Sequence, residues 1–300
     1  MRTRILVSAA IGLFAGIYCW LMLHHFHQGA GDFTWAIWLV RDLVARQNPY
    51  DRVTQLYPLP AALFALPFAW LPLPVAGGFF YGASSALLAL GLTRHGYRKL
   101  FVFLAYPFWA GTLTAQWTPL LFAGALFPLF LPATMAKPQI GFPVAVTRLT
   151  KIGFGACAVV LALSFLLLPR WPWLWIAHFG EYQRFIPLLV FPGPLLLLAL
   201  VRYRDKDTIF LLLAAAMPQR WFYDTFILWL IPQSRRQILW TALISWAAGI
   251  WRWYHIPHTF NEVGRVSVIC MYLPMLAVIL SRWIHSKKQQ TLARLPSSAI

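Results

Sequence analysis

ILVSAAIGLFAGIYCWLML, residues 5–23, is an unbroken apolar run; HHFHQGAG, residues 24–31, follows it, and then comes Asp32-Phe33-Thr34-Trp35. The run has the length a helix needs to cross a bilayer, ~20 apolar residues. Arg2 and Arg4 precede it, and no small-x-small cleavage pattern stands before the histidines. It therefore reads as an uncleaved first span rather than a removable signal.

Composition extends this reading to the whole chain. It is 60% hydrophobic and 11% charged, whereas soluble domains carry roughly 25% charged residues. That much apolar surface does not fit in one water-exposed globule, so an all-α, polytopic transmembrane bundle is predicted. A β-barrel would need alternating polarity, and runs such as Leu195–Leu200 and Ile209–Met217 do not alternate. Further apolar segments lie near 60–72, 75–93, 100–114, 118–133, 138–148, 152–169, 186–201, 208–218, 224–233, 237–251 and 266–284. Together they predict about eight to twelve embedded helices, with 60–72, 138–148 and 224–233 short enough to be broken, re-entrant or interfacial. The transmembrane domain is expected over 1–285, and a flexible cytoplasmic tail over 286–300.

The net charge of +17 does not point to nucleic acid, because the basic residues form short clusters between apolar spans. Such clusters suit anionic headgroups and set orientation, and a lipid phosphate is also a possible substrate. Arg2 and Arg4 place the N-terminus in the cytoplasm, as do Arg202–Lys206, Arg235-Arg236 and the tail for their segments. Residues 24–58, 170–185, 217–224 and 252–265 then face outward, and 94–151 stays open. The expected location is the inner (plasma) membrane, multi-pass. Cys19, Cys157 and Cys270 fall inside apolar spans and suggest neither a disulfide nor a metal. His24, His25 and His27 lack a matched carboxylate. No metal or cofactor is expected.

Only eight residues are acidic, and Asp32 sits just past the first span. In so acid-poor a chain it is the leading candidate for a general base. Phe33–Gln47 predicts an amphipathic interfacial helix, with Phe33, Ala36, Ile37, Leu39, Val40, Leu43 and Val44 on one side and Thr34, Arg41, Asp42 and Arg46 on the other. Asn48-Pro49 ends it. Two plainer roles compete. Asp32 can be an N-cap, and Asp42 can pair with Arg46 at i+4.

The run Gly31-Asp32-Phe33 … Trp38 … Leu43 … Asn48-Pro49-Tyr50-Asp51 … Tyr57-Pro58-Leu59-Pro60 … Leu71-Pro72 resembles the opening of the GT-C glycosyltransferases. The nearest branch is the polyprenyl-phosphate-mannose-dependent mannosyltransferases and their relatives. Three later elements are similar. Ala115-Gln116-Trp117-Thr118 is like a Gly-Gln-x-Asn element, with Ala for Gly and Thr for Asn. Ala136-Lys137-Pro138-Gln139 is like a Lys-Pro element. Met217-Pro218-Gln219-Arg220-Trp221 is like a Ser-Pro-x-Ser-Trp element, with Tyr223 where that element runs on to a histidine. The match is close over residues 1–75.

The resemblance implies transfer of a hexose, mannose first among them, from a polyprenyl phosphate to a lipid or glycan hydroxyl, with inversion. Asp32 would take the acceptor proton, and cations would steady the departing phosphate. Arg220, Lys137 and Arg41 are the donor-phosphate candidates, with Arg184 and Arg252 as further cations. Gln116, Tyr223, Asp224, Tyr57, His178 and His255 are expected to line the pocket. Arg220 can instead pair internally with Asp224, Lys137 can snorkel from a span end, and the outward histidines can belong to an interfacial belt. The rival functions are a transporter or flippase for a lipid-linked or anionic substrate, and a non-catalytic subunit of the same fold.

Overall fold

The computed structural model describes residues 1–52, 55–181 and 184–292. The described residues are helical throughout, apart from turns and one extended pairing, Phe185 with Gln219. The α-helices are α1 (Arg2–His25), α2 (Phe33–Val44), α3 (Pro60–Ala65), α4 (Leu73–Leu92), α5 (Tyr106–Thr112), α6 (Thr118–Gly124) and α7 (Pro138–Arg148). They continue as α8 (Lys151–Leu167), α9 (Trp171–Ile176), α10 (Lys206–Ala216), α11 (Arg235–Tyr254), α12 (Phe260–Ser267) and α13 (Leu273–Leu292).

Three helices are long and apolar enough to cross a membrane: Arg2–His25, Leu73–His95 and Phe260–Ser286. The other expected spans come out shorter. Tyr97–Leu104, Pro128–Met135, Gly193–Arg202 and Phe222–Leu230 are tight 3₁₀ segments, and α3, α5, α6 and α7 each begin at or next to a proline. Proline lacks the N–H that continues a helix, so apolar runs read as single spans divide. At the far end, α13 continues to Leu292, past the expected start of the tail; residues 293–300 lie outside the described residues.

The pairing of α1 with α4 rests on small residues. A side-chain carbon at Gly12 would come within 2.7 Å of the Gly82 carbonyl oxygen, and one at Gly16 within 2.9 Å of the Gly78 carbonyl oxygen. The two Gly-x-x-x-Gly stretches let the backbones meet, as small residues do between helices in lipid. The pair is antiparallel, since Arg4 donates through Nη2 to the Leu90 carbonyl at 3.1 Å.

The core under the site is aromatic. Phe33 stacks on Phe80 with ring centroids 3.9 Å apart, and Trp117 packs against Phe80 at 4.9 Å. Phe33 opens α2 and Trp117 precedes α6, so this cluster locks the first loop to the middle of the chain. α2 is buried on more sides than an interfacial helix requires. Thr34 and Asp42, assigned to its polar side, are buried, while Val44 is exposed. The helix stops at Val44 because Arg46 takes a left-handed conformation, φ +57°. Asp42 does not pair with Arg46. It accepts two bonds from Arg52, at 2.6 and 2.7 Å, because Asn48-Pro49 folds the chain back over the helix.

Candidate functional site

Asp32 occupies the N-cap position of α2, yet its side chain makes no capping bond. Its backbone N–H donates instead to the Thr114 carbonyl at 2.8 Å. Gly31 allows this approach. Its φ is +57°, and any side chain there would land on the Thr114 backbone. Directly after Thr114, Ala115 is held left-handed at φ +43°, a conformation that costs an L-residue roughly 1–2 kcal/mol. That turn aims the buried Gln116 back toward Asp32.

The carboxylate is held through one oxygen. Asp32 Oδ2 accepts from Gln116 Nε2 at 2.6 Å and Tyr57 Oη at 3.3 Å, and lies 3.4 Å from Lys137 Nζ. Among the described residues Oδ1 has no partner, and the side chain is 19% exposed. One oxygen is fixed and the other is open.

Lys137 is the hub. Its Nζ donates to Gln116 Oε1 at 2.8 Å and Asp224 Oδ1 at 2.9 Å, besides Asp32, and it lies 5.1 Å from the centroid of the Tyr223 ring. An ammonium has three N–H donors, and these three acceptors use them all. Lys137 is therefore neither a snorkelling residue nor a cation with donors to spare for a phosphate. Asp224, fully buried, accepts on its other oxygen from the backbone N–H of Arg220 at 2.9 Å. The alternative Arg220–Asp224 ion pair does not form; Lys137 pairs with Asp224 instead.

Tyr57 is positioned by its own chain. Tyr50 donates through its hydroxyl to the Tyr57 carbonyl at 3.2 Å, and burial pushes the Tyr50 phenol well up, keeping that proton in place. His178 Nε2 lies 3.0 Å from the Tyr50 carbonyl, one link further from Asp32. His255 is elsewhere, stacked on Trp251 at 5.6 Å and exposed. Arg41 is also apart. Its guanidinium donates to the Ala69 and Leu71 carbonyls at 2.8 and 3.0 Å, bracing the turn before α4.

Two recesses meet at the cluster. A small polar one of about 30 Å³ is bounded by Asp32, Tyr57, Lys137, Gln139 and Arg220, among others, and its volume is about that of one water molecule. Sharing Leu56 and Gln139 with it is a mostly apolar groove of about 350 Å³ lined by Phe142, Trp175, Phe179, Met217 and Arg184. The Trp175 indole donates to the Leu56 carbonyl at 2.9 Å, fixing α9 over the groove. A further recess of about 750 Å³ along the α1–α4 seam is lined by apolar and small residues and offers no reactive group.

A feature outside local sequence patterns joins these recesses. Phe185 and Gln219 exchange backbone bonds at 2.9 and 2.8 Å as an antiparallel pair. In such a pair the residue before one partner faces the residue after the other, so Arg184 stands next to Arg220. Both are exposed, and among the described residues neither has an ion-pair partner. Like charges across a strand pair repel, so the pair is poised for an anion. Arg184 and Gln139 show no periodic signal in the sequence; only the fold brings Gln139 to the Asp32 recess and Arg184 to the groove beside it.

No family model, curated protein or solved structure matches the chain.

Proposed function

We propose that the chain is an integral membrane glycosyltransferase of GT-C type, moving a hexose, mannose first among the candidates, from a polyprenyl phosphate to an acceptor hydroxyl at the outer face of the inner membrane. The observation that carries this reading is Asp32. Its Oδ2 is held by Gln116, Tyr57 and Lys137, its Oδ1 has no partner among the described residues, and the residue lines a recess about the size of one water molecule. A capping or purely structural aspartate has no reason to keep that oxygen unspent.

In this reading the acceptor hydroxyl enters the small recess and gives its proton to Asp32 Oδ1 as its oxygen attacks the anomeric carbon. The new C–O bond forms while the bond to the phosphate oxygen breaks, and the electron pair leaves on the phosphate. Attack opposite the leaving group inverts the anomeric centre. Arg184 and Arg220 receive the phosphate, and the apolar groove takes the polyprenyl chain. Lys137 positions Asp32 rather than binding the donor. Arg41 is given no part, since its guanidinium is held on the Ala69 and Leu71 carbonyls at the α4 turn, away from Asp32.

The test uses the full chain in vesicles with a radiolabelled polyprenyl-phosphate mannose and a lipid acceptor extract. Wild type is expected to give labelled product, and Asp32→Asn to lose about 10²-fold or more while still binding donor. Bound donor without product from wild type overturns the reading in favour of a transporter or a non-catalytic subunit.

A further inference from the structure

We propose that a second groove, on the far side of Arg184, is the seat of the acceptor, and that the acceptor is a saccharide. This rests on the glycosyltransferase reading above. The groove has a volume of about 600 Å³ and lies between the 184–191 segment and α12, within the ~300–1,000 Å³ typical of small-molecule sites. Its floor is Phe185, on whose ring α12 sits directly through Gly264. Its rim carries Asn261 and Arg265, four residues apart and so on one face of α12, with Arg184 opposite.

The chemistry of this rim suits hydroxyls. Among the described residues the side chains of Arg184, Asn261 and Arg265 make no hydrogen bond or ion pair to the protein. Planar amide and guanidinium groups offer donors in fixed directions, and the amide adds an acceptor. The exposed Phe191 ring beside them gives an apolar face on which the C–H side of a pyranose can lie. Glu262 is partly engaged, taking the His258 backbone N–H at 3.1 Å and the Thr259 hydroxyl at 3.2 Å. An apolar lipid tail would leave Asn261 and Arg265 unused; a sugar uses them.

Position links the groove to the chemistry. Arg184 lines both the apolar groove and this one. Phe185 in its floor is bonded to Gln219, the neighbour of Arg220 in the Asp32 recess. A saccharide here would reach one hydroxyl past the arginine pair toward Asp32.

The experiment is a glycan array probed with the full chain in nanodiscs, with labelled polyprenyl-phosphate mannose binding measured in parallel. Wild type is expected to retain at least one class of glycan above empty nanodiscs. The double variant Asn261→Ala/Arg265→Ala is expected to weaken it at least 10-fold with donor binding and melting temperature unchanged, and Arg220→Ala to leave it intact. No retained glycan, or equal retention by the double variant, overturns the proposal while leaving the donor reading to stand on its own result. Glycan retained without donor binding keeps the groove as a saccharide site and removes the donor reading instead.

Discussion

Two ion clusters, at the two ends of α7, are built as opposites. At its N-terminal end one cation, Lys137, lies between two carboxylates, Asp32 and Asp224. At its C-terminal end one carboxylate, Asp207, lies between two arginines, Arg148 at 3.6 Å and Arg282 at 2.9 Å. Three elements contribute to both. Lys137 immediately precedes α7 and Arg148 ends it, Asp207 is the second residue of α10, whose far end leads out to Arg220, and the 222–230 segment runs from Asp224 toward Gln233, which donates to Asp207 at 3.4 Å. The first cluster carries a formal excess of negative charge and leaves one carboxylate oxygen open. The second carries an excess of positive charge; Oδ2 of its carboxylate takes hydrogen bonds from Arg282 and Gln233, and Oδ1 faces Arg148 in a 3.6 Å ion contact. The first has the makings of a reactive site; the second ties helix ends together.

The comparison breaks most sharply at Lys137. Lys137→Met strands two carboxylates, one fully buried, and is expected to cost about 3–5 kcal/mol, read as the shift of the unfolding transition in detergent. A loss below 1 kcal/mol would show that the hub is not what holds the cluster. Asp207→Asn leaves two partly exposed arginines that water can reach, so about 1–2 kcal/mol is expected from the lost charged hydrogen bonds; a cost equal to that of Lys137→Met would erase the proposed asymmetry. Asp32→Asn sharpens the contrast from the other side. The amide keeps an oxygen for Gln116 and Lys137, so stability should move by less than about 1 kcal/mol while sugar transfer collapses. Parallel loss of both would make Asp32 a structural residue. The smallest effect is assigned to His255→Ala, exposed and remote from both clusters: under about 0.5 kcal/mol and no change in transfer, with any tenfold drop in rate contradicting its exclusion from the site.

How much of this is legible in the sequence differs between the clusters. Asp32, Gln116, Lys137 and Asp224 stand out one by one, because a polar residue in an apolar chain is conspicuous, and the family-like elements give their order. Their mutual bonds are not legible, since Lys137 reaches partners far away in sequence in both directions. Nor is the partner of Asp42 legible. A local i+4 rule offers Arg46, and only the turn at Asn48-Pro49 delivers Arg52. The first span and α2 are legible from hydropathy and period. The division of later spans into 3₁₀ segments is not, because an apolar count says nothing about which backbone donors the prolines remove. Ala115 is the least legible of all, since alanine gives no hint of a left-handed conformation.

The length of α7 has a physical consequence of its own. Eleven residues rise only about 16 Å, and the hydrocarbon layer of a bilayer is about 30 Å thick. Charged clusters cap both ends, so with α7 standing in the bilayer, as the proposed function has it, no upright placement puts both in bulk water. The lipid around it must thin, or water must enter the protein to reach one end. On the glycosyltransferase proposal, a sugar donor whose phosphate rides at the headgroup level would then meet the carboxylate below the membrane surface, at the bottom of a wet notch cut into an otherwise oily body.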